Sequence, residues 1–262
     1  MGKIISIVNQ KGGVGKTTTA VNLAASLGAL NCRVLLIDID PQGNATSGLG
    51  INKRTVRNSS YDLIIGEARF EETVAKTGYT NVAVIPSHID LAGAEIELVS
   101  IDKREYKLRD AITAYRSEYD YILIDCPPSL GLLTLNGLTA CDTILIPIQC
   151  EYYALEGLSQ LMTTVRQIKR LYNPRIELEG VLITMYDSRL NLTIQVASEV
   201  KKHFPKKVYA TAIPRNVRIS EAPSYGRPVR YYDGGSKGSS AYDDLAREII
   251  EQNKQLEGKQ WQ

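Results

Sequence analysis

Ile4-Ile5-Ser6-Ile7-Val8-Asn9-Gln10-Lys11-Gly12-Gly13-Val14-Gly15-Lys16-Thr17-Thr18-Thr19-Ala20 decides the fold. Ile4–Val8 is a short apolar run with the look of a buried strand, and glycines follow it without a break. An alanine-rich helical pattern then opens at Thr17. Strand, glycine loop and helix in this register make a phosphate-binding loop. Glycines let backbone N–H groups turn inward on phosphate oxygens, and the helix N-terminus adds positive potential. Gly12, Gly13, Val14, Gly15, Lys16, Thr17 and Thr18 are thus expected around the phosphates. Lys16 would neutralise β- and γ-phosphate charge, and the Thr17 hydroxyl would ligate Mg²⁺. The strict pattern Gly-x-x-x-x-Gly-Lys-Ser/Thr fails, because Gln10 stands where its first glycine belongs. Tight turning is therefore assigned to Gly12 and Gly13. Lys11, five residues before Lys16, has no obvious task within its own loop.

Outward from this stretch, short apolar runs alternate with longer helical patterns. Strands are expected at Ile4–Val8, Val34–Ile37, Val82–Ile85, Tyr121–Ile124, Thr143–Ile146, Val181–Thr184 and Val208–Thr211. Several are apolar on both faces, as strands buried between helices are. Helices are expected over Thr17–Leu30, Arg104–Tyr115, Leu155–Leu171, Leu192–His203 and Ala241–Gln255. The alternation predicts an α/β, doubly wound, mostly parallel sheet of about seven or eight strands flanked by helices. With no repeat and no low-complexity linker, residues 1–262 read as a single domain. Gly234–Ser240 reads as a flexible loop before the last helix.

Bulk properties set limits. A formal charge of +2 is too small to argue for a nucleic-acid partner, so any such case rests on local clusters. Cys32, Cys126, Cys141 and Cys150 have no metal-site spacing, which argues against a disulfide framework or zinc and for a reducing compartment. No apolar run approaches the roughly 18 residues that span a bilayer. The N-terminal run leads straight into the glycine loop and reads as a strand, not a signal peptide.

Carboxylates close two of the expected strands. Val34–Ile37 ends in Asp38-Ile39-Asp40-Pro41-Gln42, and Tyr121–Ile124 ends in Asp125-Cys126-Pro127-Pro128. The C-terminal ends of parallel strands face the crevice where open α/β sheets bind ligands. Asp125 suits indirect Mg²⁺ coordination. Of Asp38 and Asp40, one can support the metal shell while the other orients or deprotonates the attacking water. The plainer role for either is to cap a turn.

With Lys11–Thr17, Asp38–Asp40 and Asp125 in place, the chain resembles the ParA/Soj family of chromosome- and plasmid-partitioning ATPases, which carry a deviant Walker A loop. The resemblance continues through Asp40-Pro41-Gln42-Gly43-Asn44-Ala45-Thr46, Asp125-Cys126-Pro127-Pro128-Ser129, Gln149-Cys150-Glu151-Tyr152-Tyr153-Ala154-Leu155-Glu156-Gly157 and Ile213-Pro214-Arg215-Asn216-Val217-Arg218-Ile219-Ser220-Glu221-Ala222-Pro223. It implies a P-loop NTPase-like fold, ATP and Mg²⁺ as cofactors, and slow hydrolysis. It implies an ATP-dependent homodimer in which Lys11 reaches the partner's phosphates, as an arginine finger does. It gives Asp40 the hydrolytic role and places Pro214 and Asn216 beside the adenine.

The same resemblance separates three outputs. The first is nonspecific DNA binding through Arg189 and Arg218, with a ParB-like protein stimulating hydrolysis and with a cytoplasmic, nucleoid-associated location. The second is membrane positioning as in MinD, which needs a C-terminal amphipathic helix. Here Asp243–Lys254 is acid-rich with a narrow apolar face, so a core-docked helix and no membrane are expected. The third is electron transfer through a bridged iron–sulfur cluster, for which Cys126 and Cys141 lie in roughly suitable regions. Both read better as small buried hydrophobes.

Overall fold

The computed structural model describes residues 2–259, with side chains through Gln255. Its strands are β1 (Lys3–Ile7), β2 (Val34–Asp38), β3 (Ala75–Lys76), β4 (Val82–Ile85), β5 (Tyr121–Asp125), β6 (Thr143–Gln149) and β7 (Glu177–Thr184). They form one sheet in the order β3-β4-β2-β5-β1-β6-β7. Every pairing is parallel except that of β3 with β4. The fold is thus the doubly wound α/β sheet expected of P-loop nucleotide-binding proteins.

The strands are apolar on both faces because both faces are covered. Ile4, Leu35, Ile37, Ile122, Ile124, Ile144 and Ile146 enter one core, under the helices Leu132–Ala140, Ala154–Leu171 and Asn191–His203. Their alternate neighbours Ile5, Ile7, Val34, Leu36, Leu123 and Leu145 enter the other. That second core is closed by α1 (Lys16–Ala29) and by the helix Lys237–Lys259, which packs along it. Tyr242, Leu245, Ala246 and Ile249 of that last helix are all buried. It is core-docked, and no helix among the described residues is long and apolar enough to cross a membrane.

Three local expectations change, and one helix had not been expected. Val208–Thr211 is not a strand, since only Val208 forms an isolated bridge, to Val181. Arg104–Tyr115 is not one helix but a 3-10 turn (Arg104–Tyr106), a helix (Lys107–Ile112) and a further 3-10 stretch (Thr113–Glu118). Ser239 is fully buried within the helix that begins at Lys237, so the expected flexible loop ends at 236 rather than at Ser240. The helix Leu132–Ala140 was not legible because seven of its nine residues are buried, which erases the amphipathic period.

Candidate functional site

The glycine loop lies between the end of β1 and the start of α1, in the middle of the sheet. Gly13 (φ 75°) and Gly15 (φ 88°) take the left-handed conformation. A side chain would be strained at both, and Gly15 stands directly before the first turn of α1. Gly12 does not adopt this conformation, so the turning falls to Gly13 and Gly15 rather than to Gly12 and Gly13. Thr184, at the end of β7, braces the loop from beneath. Its hydroxyl lies 2.8 Å from the Val14 carbonyl and 3.1 Å from that of Ile148.

Lys16 is nearly buried, and its ammonium donates to the Lys11 carbonyl at 3.0 Å. Burial lowers its pKa, while Asp125 and Asp40 act in the opposite direction. The Lys11 ammonium is half-exposed and ion-paired with Glu151 of the same chain. The two lysines thus point to different surroundings, one inward to the carboxylates and one outward to solvent.

Asp38 and Asp125 are register partners at the ends of β2 and β5, and Asp125 is also paired with Ile7. Both carboxyls are fully buried, and they repel each other. Asp38 is nonetheless well satisfied. Its Oδ2 accepts from Thr46 N at 2.8 Å and Thr46 Oγ1 at 2.7 Å, and its Oδ1 accepts from Asp40 N at 3.2 Å. Burial pushes its pKa up to about 6 despite these bonds. Asp125 differs. Neither of its oxygens has a hydrogen bond of ordinary geometry, although the Thr17 hydroxyl lies close enough to favour the charged form. Burial and the neighbouring Asp38 raise its pKa well above the usual carboxylate range. Ionising a carboxyl so deeply buried, with only the Thr17 hydroxyl close by, is costly.

Asp40 is turned differently again. Its Oδ1 accepts from Gln42 N at 2.9 Å, and Asp40 as a whole is about 8% exposed, a narrow opening onto solvent. Cys126, next to Asp125, and Cys141 are both buried free thiols. Burial pushes Cys141 up to about 12 and Cys126 upward as well, which favours the neutral thiol in both.

A cavity of about 240 Å³ opens beside the loop, lined by Gly15, Thr18, Met185, Pro214, Asn216 and Tyr242 among others. Pro214 and Asn216, far from the loop in sequence, are therefore brought to it. Asn216 has a second task, since its Oδ1 caps the helix Val217–Glu221 through Arg218 N at 2.9 Å. Met185 and Tyr242 escaped the sequence reading. Met185 holds φ 51°, an uncommon conformation for a residue with a side chain, and only the structure reveals it.

The bridge between Tyr186 and Pro214, with Arg215 N donating to the Tyr186 carbonyl at 3.2 Å, sets the loop before the helix Asn191–His203 beside residues 214–218. Arg189 and Arg218 thereby issue from adjoining segments. Both are exposed at their guanidinium ends, and each is paired within the chain. Arg189 meets Asp187 at 2.7 Å; Arg218 meets Glu221 at 2.9 Å and Asp233 at 3.1 Å. The Arg189 guanidinium holds the Asp187 carboxyl down at about 2.

Comparison with known proteins agrees with this geometry. Residues 2–178 match the AAA domain family model. The chain is 59% identical over 249 residues to the sporulation initiation inhibitor protein Soj of Bacillus subtilis (strain 168), covering 95% of this chain and 98% of that protein. It is 53% identical over 253 residues to the chromosome partitioning protein ParA of Myxococcus xanthus (strain DK1622), covering 97% and 89%. Among solved structures, cobyrinic acid a,c-diamide synthase from Mycobacterium smegmatis with bound ADP and magnesium superposes with a TM-score of 0.85 at 36% identity, covering 97% of this chain and 96% of that one. By loop, sheet and sequence together, the chain belongs to the ParA/Soj family of chromosome-partitioning P-loop ATPases.

Proposed function

We propose that the protein is an ATP-gated switch whose closed dimer binds DNA without sequence preference, to partition or position it. The observation that carries the reading is Asp125. Its two buried, unpartnered oxygens stand at the end of β5 beside Lys16 and near Thr17. This donor set fits Mg²⁺, which keeps most of its waters and takes only one or two protein groups alongside phosphate oxygens. Thr17 would ligate the ion directly and Asp125 through water. Bound there, Mg²⁺ would neutralise charge on the β- and γ-phosphates.

The chain's own residues supply the rest. Gly12–Thr18 cradle the phosphates, and Lys16 meets their charge at close range. Asp38 is committed to Thr46 and Asp40, so we assign it to anchoring the Asp40 segment rather than to the metal. Asp40 orients or deprotonates the attacking water. Pro214 and Asn216 border the cavity that would take the adenine. The Lys11 ammonium, ion-paired with the half-exposed Glu151, can exchange that partner for the phosphates of a second copy. Arg189 and Arg218 would contact DNA phosphates, which position a protein on DNA but carry no sequence information. A ParB-like protein would stimulate hydrolysis and release the dimer, and the working location would be the nucleoid in the cytoplasm.

The test is retention of DNA by the Asp40→Ala protein with ATP and Mg²⁺ across a salt series. Because hydrolysis is cut to a residual rate, a stable dimer should hold DNA at low salt, lose it steeply as salt rises, and hold none without ATP. Retention that ignores ATP, or no retention at any salt, overturns the DNA switch.

A further inference from the structure

Thr46 and Ser87 lie outside the glycine loop, yet both are completely buried beside the carboxylates. Thr46 donates to Asp38 Oδ2 from its backbone N–H at 2.8 Å and from its hydroxyl at 2.7 Å. The same hydroxyl oxygen accepts the Ser87 N–H at 2.8 Å. The Ser87 hydroxyl in turn donates to the Asp40 carbonyl at 2.6 Å. Asp40 closes the circuit by donating its N–H to Asp38 Oδ1 at 3.2 Å. The result is a hydrogen-bonded ring, Asp38–Thr46–Ser87–Asp40, built from the end of β2, the short helix Asn44–Gly48 and the segment after β4.

The ring grips Asp40 by its main chain alone. Its N–H and its carbonyl are both held, so the backbone on either side of the carboxylate is fixed while the side chain faces its opening. Thr46 is the joint between the halves. A hydroxyl has one proton to give and lone pairs to accept with, and here the proton goes to Asp38 while a lone pair takes the Ser87 N–H. Valine has nearly the same shape and can do neither. Serine can do both. Bonds buried in a ring of this kind reinforce one another. Without the Thr46 hydroxyl the Ser87 N–H loses its acceptor, whereas the Asp40 carbonyl, when Ser87 is alanine, keeps the Gly43 N–H at 2.8 Å but loses the tie to the segment after β4.

We infer that Thr46 and Ser87 are positioning residues for hydrolysis, setting the Asp40 carboxylate by fixing the main chain that carries it. This rests on the assignment of Asp40 to the attacking water. The experiment compares Thr46→Val, Thr46→Ser and Ser87→Ala with the unaltered protein in steady-state ATP hydrolysis with Mg²⁺, alone and in the Asp40→Ala background. Thr46→Val and Ser87→Ala should each lower kcat about tenfold, the worth of one well-placed hydrogen bond, with KM for ATP nearly unchanged. Thr46→Ser should restore most of kcat, and Thr46→Val should cost nothing further once Asp40 is alanine.

Unchanged kcat in Thr46→Val and Ser87→Ala beside an Asp40→Ala protein reduced to residual turnover overturns the ring alone. So does a loss that persists undiminished in the Asp40→Ala background, or a KM that rises in step with the fall in kcat. Wild-type turnover in Asp40→Ala overturns the Asp40 assignment and the ring's purpose with it. Should Thr46→Val fail to fold, Ser87→Ala removes only the hydroxyl on the Asp40 carbonyl and decides the question.

Discussion

Asp38 and Asp125 face each other across neighbouring strands, and both have pKa values above the ordinary carboxylate range. The folded protein thus holds these protons more tightly than the unfolded chain does. Their contribution to stability is full below the unfolded values near 4 and is lost as pH rises through the folded ones, about 6 for Asp38. Asp125→Asn removes the titrating group while keeping the shape. In chelator and without nucleotide, the variant should gain stability over the unaltered protein as pH rises from about 5 to about 8, by roughly 1–3 kcal/mol at the upper end. Urea melts across that range check it, and a difference that does not vary with pH would remove Asp125 as its source. Lys16 and Asp125 were legible in the sequence because each sits at a fixed offset from a strand end. Thr46, Ser87 and Met185 were not. Their roles come from strand register and backbone conformation, which no local pattern encodes.

Elements divide along similar lines. β1, β2, β4, β5, β6 and β7 could be read from runs of Ile, Val and Leu, because strands covered on both faces leave little else in the sequence. β3 has only two residues and lies at the sheet edge, too short for any period to register. The segment Arg104–Glu118 shows the converse. Its apolar positions suggest one helix over Arg104–Tyr115, yet the chain changes helical type twice around the buried Leu108 and Ile112. The last helix tests whether its apolar stripe is structural. Leu245 is fully buried against the second core, so Leu245→Ala should lower unfolding free energy by about 2–5 kcal/mol through lost burial and a residual cavity. Thermal or urea unfolding measures this. A change of a few tenths would mean that the face is free for another surface.

At the scale of the whole molecule, Lys11 separates an engine complete in one chain from one completed by two. Lys11→Ala removes a half-exposed ion pair with Glu151, and such pairs contribute little to stability. The variant should therefore fold normally and bind ATP at close to the usual affinity. It should stay monomeric with ATP in size-exclusion chromatography with light scattering, and its turnover should fall at least about a hundredfold if the lysine acts in trans. An active monomeric variant would place the whole reaction within one chain.

The acids that accompany Arg189 and Arg218 bear on how such a molecule would respond to its ionic surroundings. A bare surface arginine meeting a phosphate displaces condensed cations from DNA and takes up none in return. Arg189 must first leave Asp187, and Arg218 must leave Glu221 and Asp233. Each carboxylate so released attracts a cation back from solution, and part of the entropy gained at the DNA is surrendered at the protein. If the pair does hold DNA, affinity would still fall with salt, but with a slope smaller than a count of arginine–phosphate contacts implies.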